Sequence, residues 1–236
     1  MGGSQQWEQQ LEALCDFECI ALDLPGFGQN AKMQALSSIP AFADWALGEL
    51  SARGVSRFHL VGHSMGGMVA QEMSAQAPDR VDRLVLYGTG ATGVLPGRFE
   101  TIATSKDRVQ AEGAGATARR IAATWFLNRH QAAAYENCAQ IAQLSGIEAI
   151  LAGLDAMNGW SGTAYLPHIK VKTLVIWGDH DRTYPWSQTE ELWRSIEGAC
   201  LAVLPGCAHA SHLEKPALFN AILENFLTDG ENSSVK

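Results

Sequence analysis

Two textures of apolar and polar positions alternate along the chain. Short apolar runs, Phe17–Leu24, Arg57–Val61, Leu84–Tyr87, Val171–Trp177 and Cys200–Leu204, stop at glycine, proline or another turn former. Between them lie longer stretches with apolar residues three and four apart. In Ser38–Arg53 these are Ile39, Phe42, Trp45, Ala46 and Leu50, and further periodic stretches cover Met68–Ala77, Trp186–Ile196 and roughly Pro216–Leu227. The short runs read as buried strands and the periodic stretches as amphipathic helices. At the amino end, Ser4 is placed to cap a helix carrying Trp7, Leu11 and Leu14 on one face. Strands alternating with helices predict an α/β fold, a mostly parallel sheet covered by helices on both faces.

From residue 98 to 159 the texture changes. Alanines, amides and scattered aromatics replace the β-branched runs, and no strand candidate appears. This segment reads as a lid of three or four helices inserted into the core, with breaks at Gly113 to Gly115 and at Ser145-Gly146. The predicted division is a core domain of residues 1–97 and 160–230, a helical lid of 98–159 and a polar tail of 231–236. Trp125, Phe126 and Trp160 are the bulky residues expected to line a substrate pocket, the alternative being that they pack within the lid.

Composition narrows the function classes. At 236 residues, 47% hydrophobic and 18% charged, the chain suits one large globular domain. A net charge of −8 argues against nucleic acid or an anionic membrane as partner. Five scattered cysteines give neither zinc spacing nor a disulfide framework. No apolar run approaches the roughly 18 residues of a membrane helix, and no signal peptide is recognised, so a cytoplasmic location is expected.

Reactive side chains fall in three turns that follow predicted strands. One is Gly62-His63-Ser64-Met65-Gly66-Gly67, one contains Asp179 and Asp181, and one contains His209 and His212. A serine on a sharp strand-to-helix turn exposes its hydroxyl, and the following helix start offers amide N–H groups to a developing oxyanion. Serine needs an imidazole to take its proton, and the imidazole needs a carboxylate to fix its tautomer. The residues alone leave open which carboxylate and which histidine serve. Asp179, His180, Asp181, His209 and His212 could also be read as metal ligands, but nothing in their spacing defines a ligand set, and no metal is expected.

The motifs Asp23-Leu24-Pro25-Gly26-Phe27-Gly28, Gly62–Gly67, Trp177-Gly178-Asp179-His180-Asp181 and His209–Pro216 occur in the order of the α/β-hydrolases. From about Gly2 to Leu227 the chain resembles their single-domain esterase, enol-lactonase and carbon–carbon hydrolase group. The resemblance implies Ser64 as nucleophile, His209 as base and Asp181, rather than Asp179, as the acid. It implies the amide of Met65 and a group near Met1 as oxyanion donors, with structural roles for His63 and Glu214 and a packing or surface role for His212. The implied activity is hydrolysis of a small or medium carboxylic ester or lactone through an acyl-enzyme, without cofactor. Hydrolysis of carbon–carbon bonds in ring-cleavage products, and a non-catalytic ligand-binding role, are the alternatives. Oligomeric state is not legible.

The same resemblance marks a departure. Members carry strands before the loop that Gly2–Trp7 resembles, and one of them lies between the strands ending at Asp23 and starting near Arg57. The expectation is a truncated or misassigned start, an unfilled slot in the sheet and two unpaired inner edges.

Overall fold

A computed structural model describes residues 1–94 and 100–229; the predicted polar tail and the predicted start of the lid at Arg98 lie outside the described residues. Four parallel strands, β1 (Phe58–His63), β2 (Val81–Tyr87), β3 (Lys172–Gly178) and β4 (Cys200–Leu204), form one sheet in the order β1-β2-β3-β4. Alternate side chains of β2 serve the two faces, as the pleat requires. Leu84 and Leu86 pack with Leu192 and Ile196, and Val85 and Tyr87 pack with Phe219 and Leu223.

The helices form where the periodicity places them. Helix α2 (Ile39–Ala52) starts where Ser38 Oγ accepts the Ala41 N–H at 3.3 Å, and buries Ile39, Phe42, Ala43, Ala46 and Leu50. Helix α3 (Met65–Gln76) packs beside it through Met68, Val69 and Met73. On the opposite face lie α1 (Glu8–Ala13) and α10 (Pro216–Thr228), next to the short α9 (Ser211–Glu214), while α8 (Trp186–Ser195) joins β3 to β4. Between β2 and β3 the chain forms α4 (Ile102–Glu112), α5 (Ala114–Thr124), α6 (Tyr135–Ala142) and α7 (Ile147–Asn158). The α4–α5 break falls at Gly113, whose φ of 82° favours glycine, whereas Gly115 lies inside α5.

Two expectations at the amino end are corrected. Ser4 caps no helix; its N–H and hydroxyl both bond to the Asp23 carboxylate, at 2.8 and 2.7 Å. Residues 17–24 form no strand. Their side chains alternate as in a strand, with Phe17 and Cys19 packing toward α10 and Ile20, Leu22 and Leu24 toward α2. They have no ladder partner, however, because a gap separates them from β1. Strand β1 correspondingly pairs on one edge only, with β2, and its Leu60 and Val61 are only half-buried.

The gap is part of a cavity of about 600 Å³. It begins at Ser64 and runs between residues 17–24 and β1 as far as Arg57 and Asp82. Leu50 and Met73 close it on one side, and Leu14 and Leu223 on the other. It is therefore a slot in the plane of the sheet, between the two helical layers.

Candidate active site

Ser64 sits where β1 turns into α3, with φ 56° and ψ −125°. A side chain held there stores strain of about 1–3 kcal/mol, so the surroundings must enforce it. Ser64 N–H donates to the Tyr87 carbonyl oxygen at 3.1 Å, and its own carbonyl accepts from Gly67 N–H at 2.9 Å and from Thr89 Oγ1 at 2.7 Å. Gly62 makes the tight turn possible, because a side-chain carbon there would lie 2.5 Å from the Gly66 carbonyl oxygen and 2.7 Å from Ala70 Cβ. The second glycine needed for close approach is Gly67, packed against Thr89, rather than Gly66, which has open space around it. Met65 is the first residue of α3, so its N–H has no acceptor within the helix.

The loops after β3 and β4 bring Asp181 and His209 together. His209 Nδ1 lies 2.8 Å from Asp181 Oδ2, and both side chains are almost wholly buried, at 2% and 0% exposure. The other oxygen, Asp181 Oδ1, accepts the N–H groups of Thr183 and Tyr184 at 2.7 and 3.1 Å. This arrangement fixes the carboxylate, and the carboxylate fixes His209 with its proton on Nδ1. Asp179 does different work: its Oδ1 accepts the Cys207 N–H at 3.2 Å, bracing the turn before His209. Ser64 and His209 both line the cavity.

Beneath His209 lies an aromatic layer. His63 Nε2 donates to the His209 carbonyl oxygen at 3.0 Å, and the Tyr87 hydroxyl donates to the same oxygen at 2.7 Å. His212 Nδ1 lies 3.1 Å from the Tyr87 hydroxyl, and its ring stacks on Trp7 with centroids 4.6 Å apart. Burial, then the neighbouring His209 and His212, hold the His63 imidazole well below its ordinary range. Burial, followed by His209, brings His212 down to about 3. Both are thus neutral supports of the His209 backbone, and His212, expected to pack or lie at the surface, is buried.

Of the residues expected to line the pocket, Trp125 does so. Phe126 does not: it is fully buried in a cluster with Cys138 and Ala210. Trp160 does not either; it packs with α2 and α3, and its indole N–H donates to Glu72 Oε2 at 3.0 Å. Bulk predicted burial there, not a place on the wall. Met65, Leu24, Phe27 and Leu213 are the wall residues that sequence reasoning did not single out. Met1 packs among Ile102, Val109, Ile150 and Leu154 and reaches the cavity.

Residues 125–127 are pinned to both loops. The Trp125 carbonyl accepts the Ala210 N–H at 2.8 Å. The Glu214 carboxylate accepts Leu127 N–H and Ala208 N–H, each at 2.6 Å. Arg182 donates to the carbonyl oxygens of Phe126 and Leu127 at 3.1 and 3.4 Å. Among the described residues no group of three histidine, cysteine, aspartate or glutamate side chains converges as metal ligands do, and no helix is long and apolar enough to cross a membrane.

A strained serine at a strand-to-helix turn, a buried aspartate–histidine pair beyond neighbouring strands and a helical insertion after β2 describe a class, and the sequence agrees. The profile of the alpha/beta hydrolase fold matches residues 1–216, and the chain belongs to that family. It is 26% identical to the "Putative carbamate hydrolase RutD" of Agrobacterium fabrum over 98% of this chain and 91% of that protein. A thermophilic esterase from Thermogutta terrifontis superposes with a TM-score of 0.85 at 27% identity, over 96% and 85% of the two chains. The enol-lactonase from Burkholderia xenovorans LB400 superposes with a TM-score of 0.86 at 24% identity, over 97% and 88%.

Proposed function

We propose that the chain is a serine hydrolase that cleaves a small or medium carboxylic ester or lactone. One observation carries the reading: His209, oriented by the buried Asp181, lines the same cavity as a serine held in a strained, half-buried turn. Ser64 Oγ attacks the substrate carbonyl while His209 Nε2 takes its proton. Asp181 stabilises the imidazolium that results and keeps the ring from turning. The Met65 N–H, with a group at Met1, holds the oxyanion of the tetrahedral intermediate. Its collapse expels the alcohol, protonated by His209, and leaves an acyl-serine; in a lactone the alcohol stays tethered. Water, deprotonated by His209, then releases the acid. Protein groups and water complete the cycle, so the reading needs no cofactor. The similarity to esterases supports the ester class, and Trp125, Phe27 and Met65 supply an apolar wall for the acyl group.

The test is hydrolysis of p-nitrophenyl acetate and butyrate by the wild-type chain and by Ser64→Ala. The expected loss in the variant is on the order of 10⁴-fold or more, to background. A fluorophosphonate should label the wild type at Ser64 and leave the variant unlabelled. A folded wild type that neither turns over the esters nor takes the label is a non-catalytic member of the family, and the proposal fails.

A further inference from the structure

Helix α7 carries a glycine that its backbone does not require. Gly153 lies buried in the middle of the helix without a left-handed φ, a conformation open to any residue, and glycine there weakens the helix. Space explains its presence. A side-chain carbon at 153 would lie 3.2 Å from Phe27 Cζ and 3.7 Å from Met65 Sδ. Ala149 and Ala156 share that face of α7, at helical spacing. A carbon added to Gly26 would meet Ala149 Cβ at 3.0 Å, and Ala156 joins the cluster that holds Phe27 and Phe42. Helix α7 thus comes down onto the turn at Gly26-Phe27 with only small residues on the near face.

Phe27 and Met65 each have a second exposure. Both line the cavity that Ser64 and His209 share, whereas Gly153 is not on its wall and stands behind them. The Phe27 ring also leans on Phe42, which is fully buried, with centroids 6.3 Å apart. A side chain pressed from α7 cannot yield into that filled core, so the direction left open to it is the cavity.

We infer that Gly153 is a specificity-determining residue. The room it leaves lets Phe27 and Met65 sit back against α7, and that depth sets the length of acyl chain that fits beside Ser64. The inference rests on the ester hydrolysis proposed for this site, in which those two side chains form the acyl wall. Gly153 acts on the depth of the pocket and not on the triad, so enlarging it should shorten the accepted acyl chain without slowing the chemistry.

The probes are p-nitrophenyl acetate, butyrate and hexanoate, with the wild-type chain, Gly153→Ala and Gly153→Val, each shown to be folded by its thermal midpoint. In Gly153→Val the ratio of kcat/KM for hexanoate to that for acetate should fall at least about tenfold, with acetate itself within about threefold of wild type, since one methylene in a pocket is worth about 10- to 200-fold. Butyrate should fall between them. Gly153→Ala intrudes less and should lower the same ratio about threefold, a change still readable where valine prevents folding. Gly48→Ala, in α2 with open space around the glycine, should leave the ratio unchanged. Adding Phe27→Leu to Gly153→Val removes the ring tip that α7 would press and should restore the ratio. The inference is overturned if the folded Gly153 variants keep the wild-type ratio, if acetate falls as far as hexanoate, or if Phe27→Leu restores nothing. A wild type that turns over none of the esters refutes the hydrolase reading instead, and calorimetric titration with hexanoate then decides the inference. Binding at least about tenfold weaker in Gly153→Val supports it, and equal or absent binding overturns it.

Discussion

The two flanks of β1 differ in a way that neither apolar run explains by itself. On one side Leu84-Val85-Leu86-Tyr87 is wholly buried in a ladder with neighbours on both edges. On the other, Cys19-Ile20-Ala21-Leu22 is as apolar and alternates between the same two faces, yet it is half-buried and makes no ladder. Apolarity selects burial, but a strand exists only where its amides find partners. The proposed chemistry lies on the paired side: Asp181 follows the inner strand β3, His209 follows the edge strand β4, and Ser64 leaves β1 at the boundary.

That contrast can be attacked in order of effect. The largest concerns the acid. Asp181→Asn should lower kcat for p-nitrophenyl butyrate by about 10⁴-fold, because the amide holds the wrong imidazole tautomer. Asp179→Asn keeps an oxygen that can accept the Cys207 N–H and should stay within about tenfold, a difference of no more than about 1.4 kcal/mol. Equal losses in the two variants would break the assignment. Next comes packing. Leu86→Ala, in the filled half, should cost about 2–5 kcal/mol in a urea melt.

The third prediction concerns pH. Below about 6.5 the unfolded chain takes up protons that folded His212, held down to about 3, refuses. Its contribution to stability is therefore complete above 6.5 and is lost toward acid at about 1.4 kcal/mol per unit, or about 2 kcal/mol between pH 6.5 and 5. His63 acts in the same sense. Substituting His212→Gln should remove one such slope from the pH dependence of the urea midpoint; an unchanged slope means that water already hydrates the ring. The smallest effect is at Leu22. Its replacement by alanine should cost less than about 1.5 kcal/mol, since its surface already faces an unfilled space, and a loss like that of Leu86 would show the two flanks to be equally tight.

Much of this was readable along the chain. The sheet after Arg57, α2, α3, α8 and α10 follow from local periodicity, and the turn at Ser64 from its glycines. The residues alone offered two carboxylates and the family resemblance pointed to Asp181; in the structure Asp181 is turned onto His209 and Asp179 onto a backbone amide. Residues 17–24 misled because their pattern was right and their partner missing. Phe126 and Trp160 misled because size reports burial without direction. The anchoring of Leu127 by Glu214 joins positions 87 residues apart, which no local signal reveals.

That anchoring has a consequence for which side chains of the helical segment are free to vary. Between α5 and α6, residues 125–127 have their backbone gripped by Ala210, Glu214 and Arg182, while α4 and α7 pack on Met1 and Phe27. The grip uses main-chain groups of this stretch, so it is indifferent to most side chains there. Side chains of residues 125–127 can therefore change without loosening these main-chain bonds, whereas the α4 and α7 residues that face Met1 and Phe27 are held by shape.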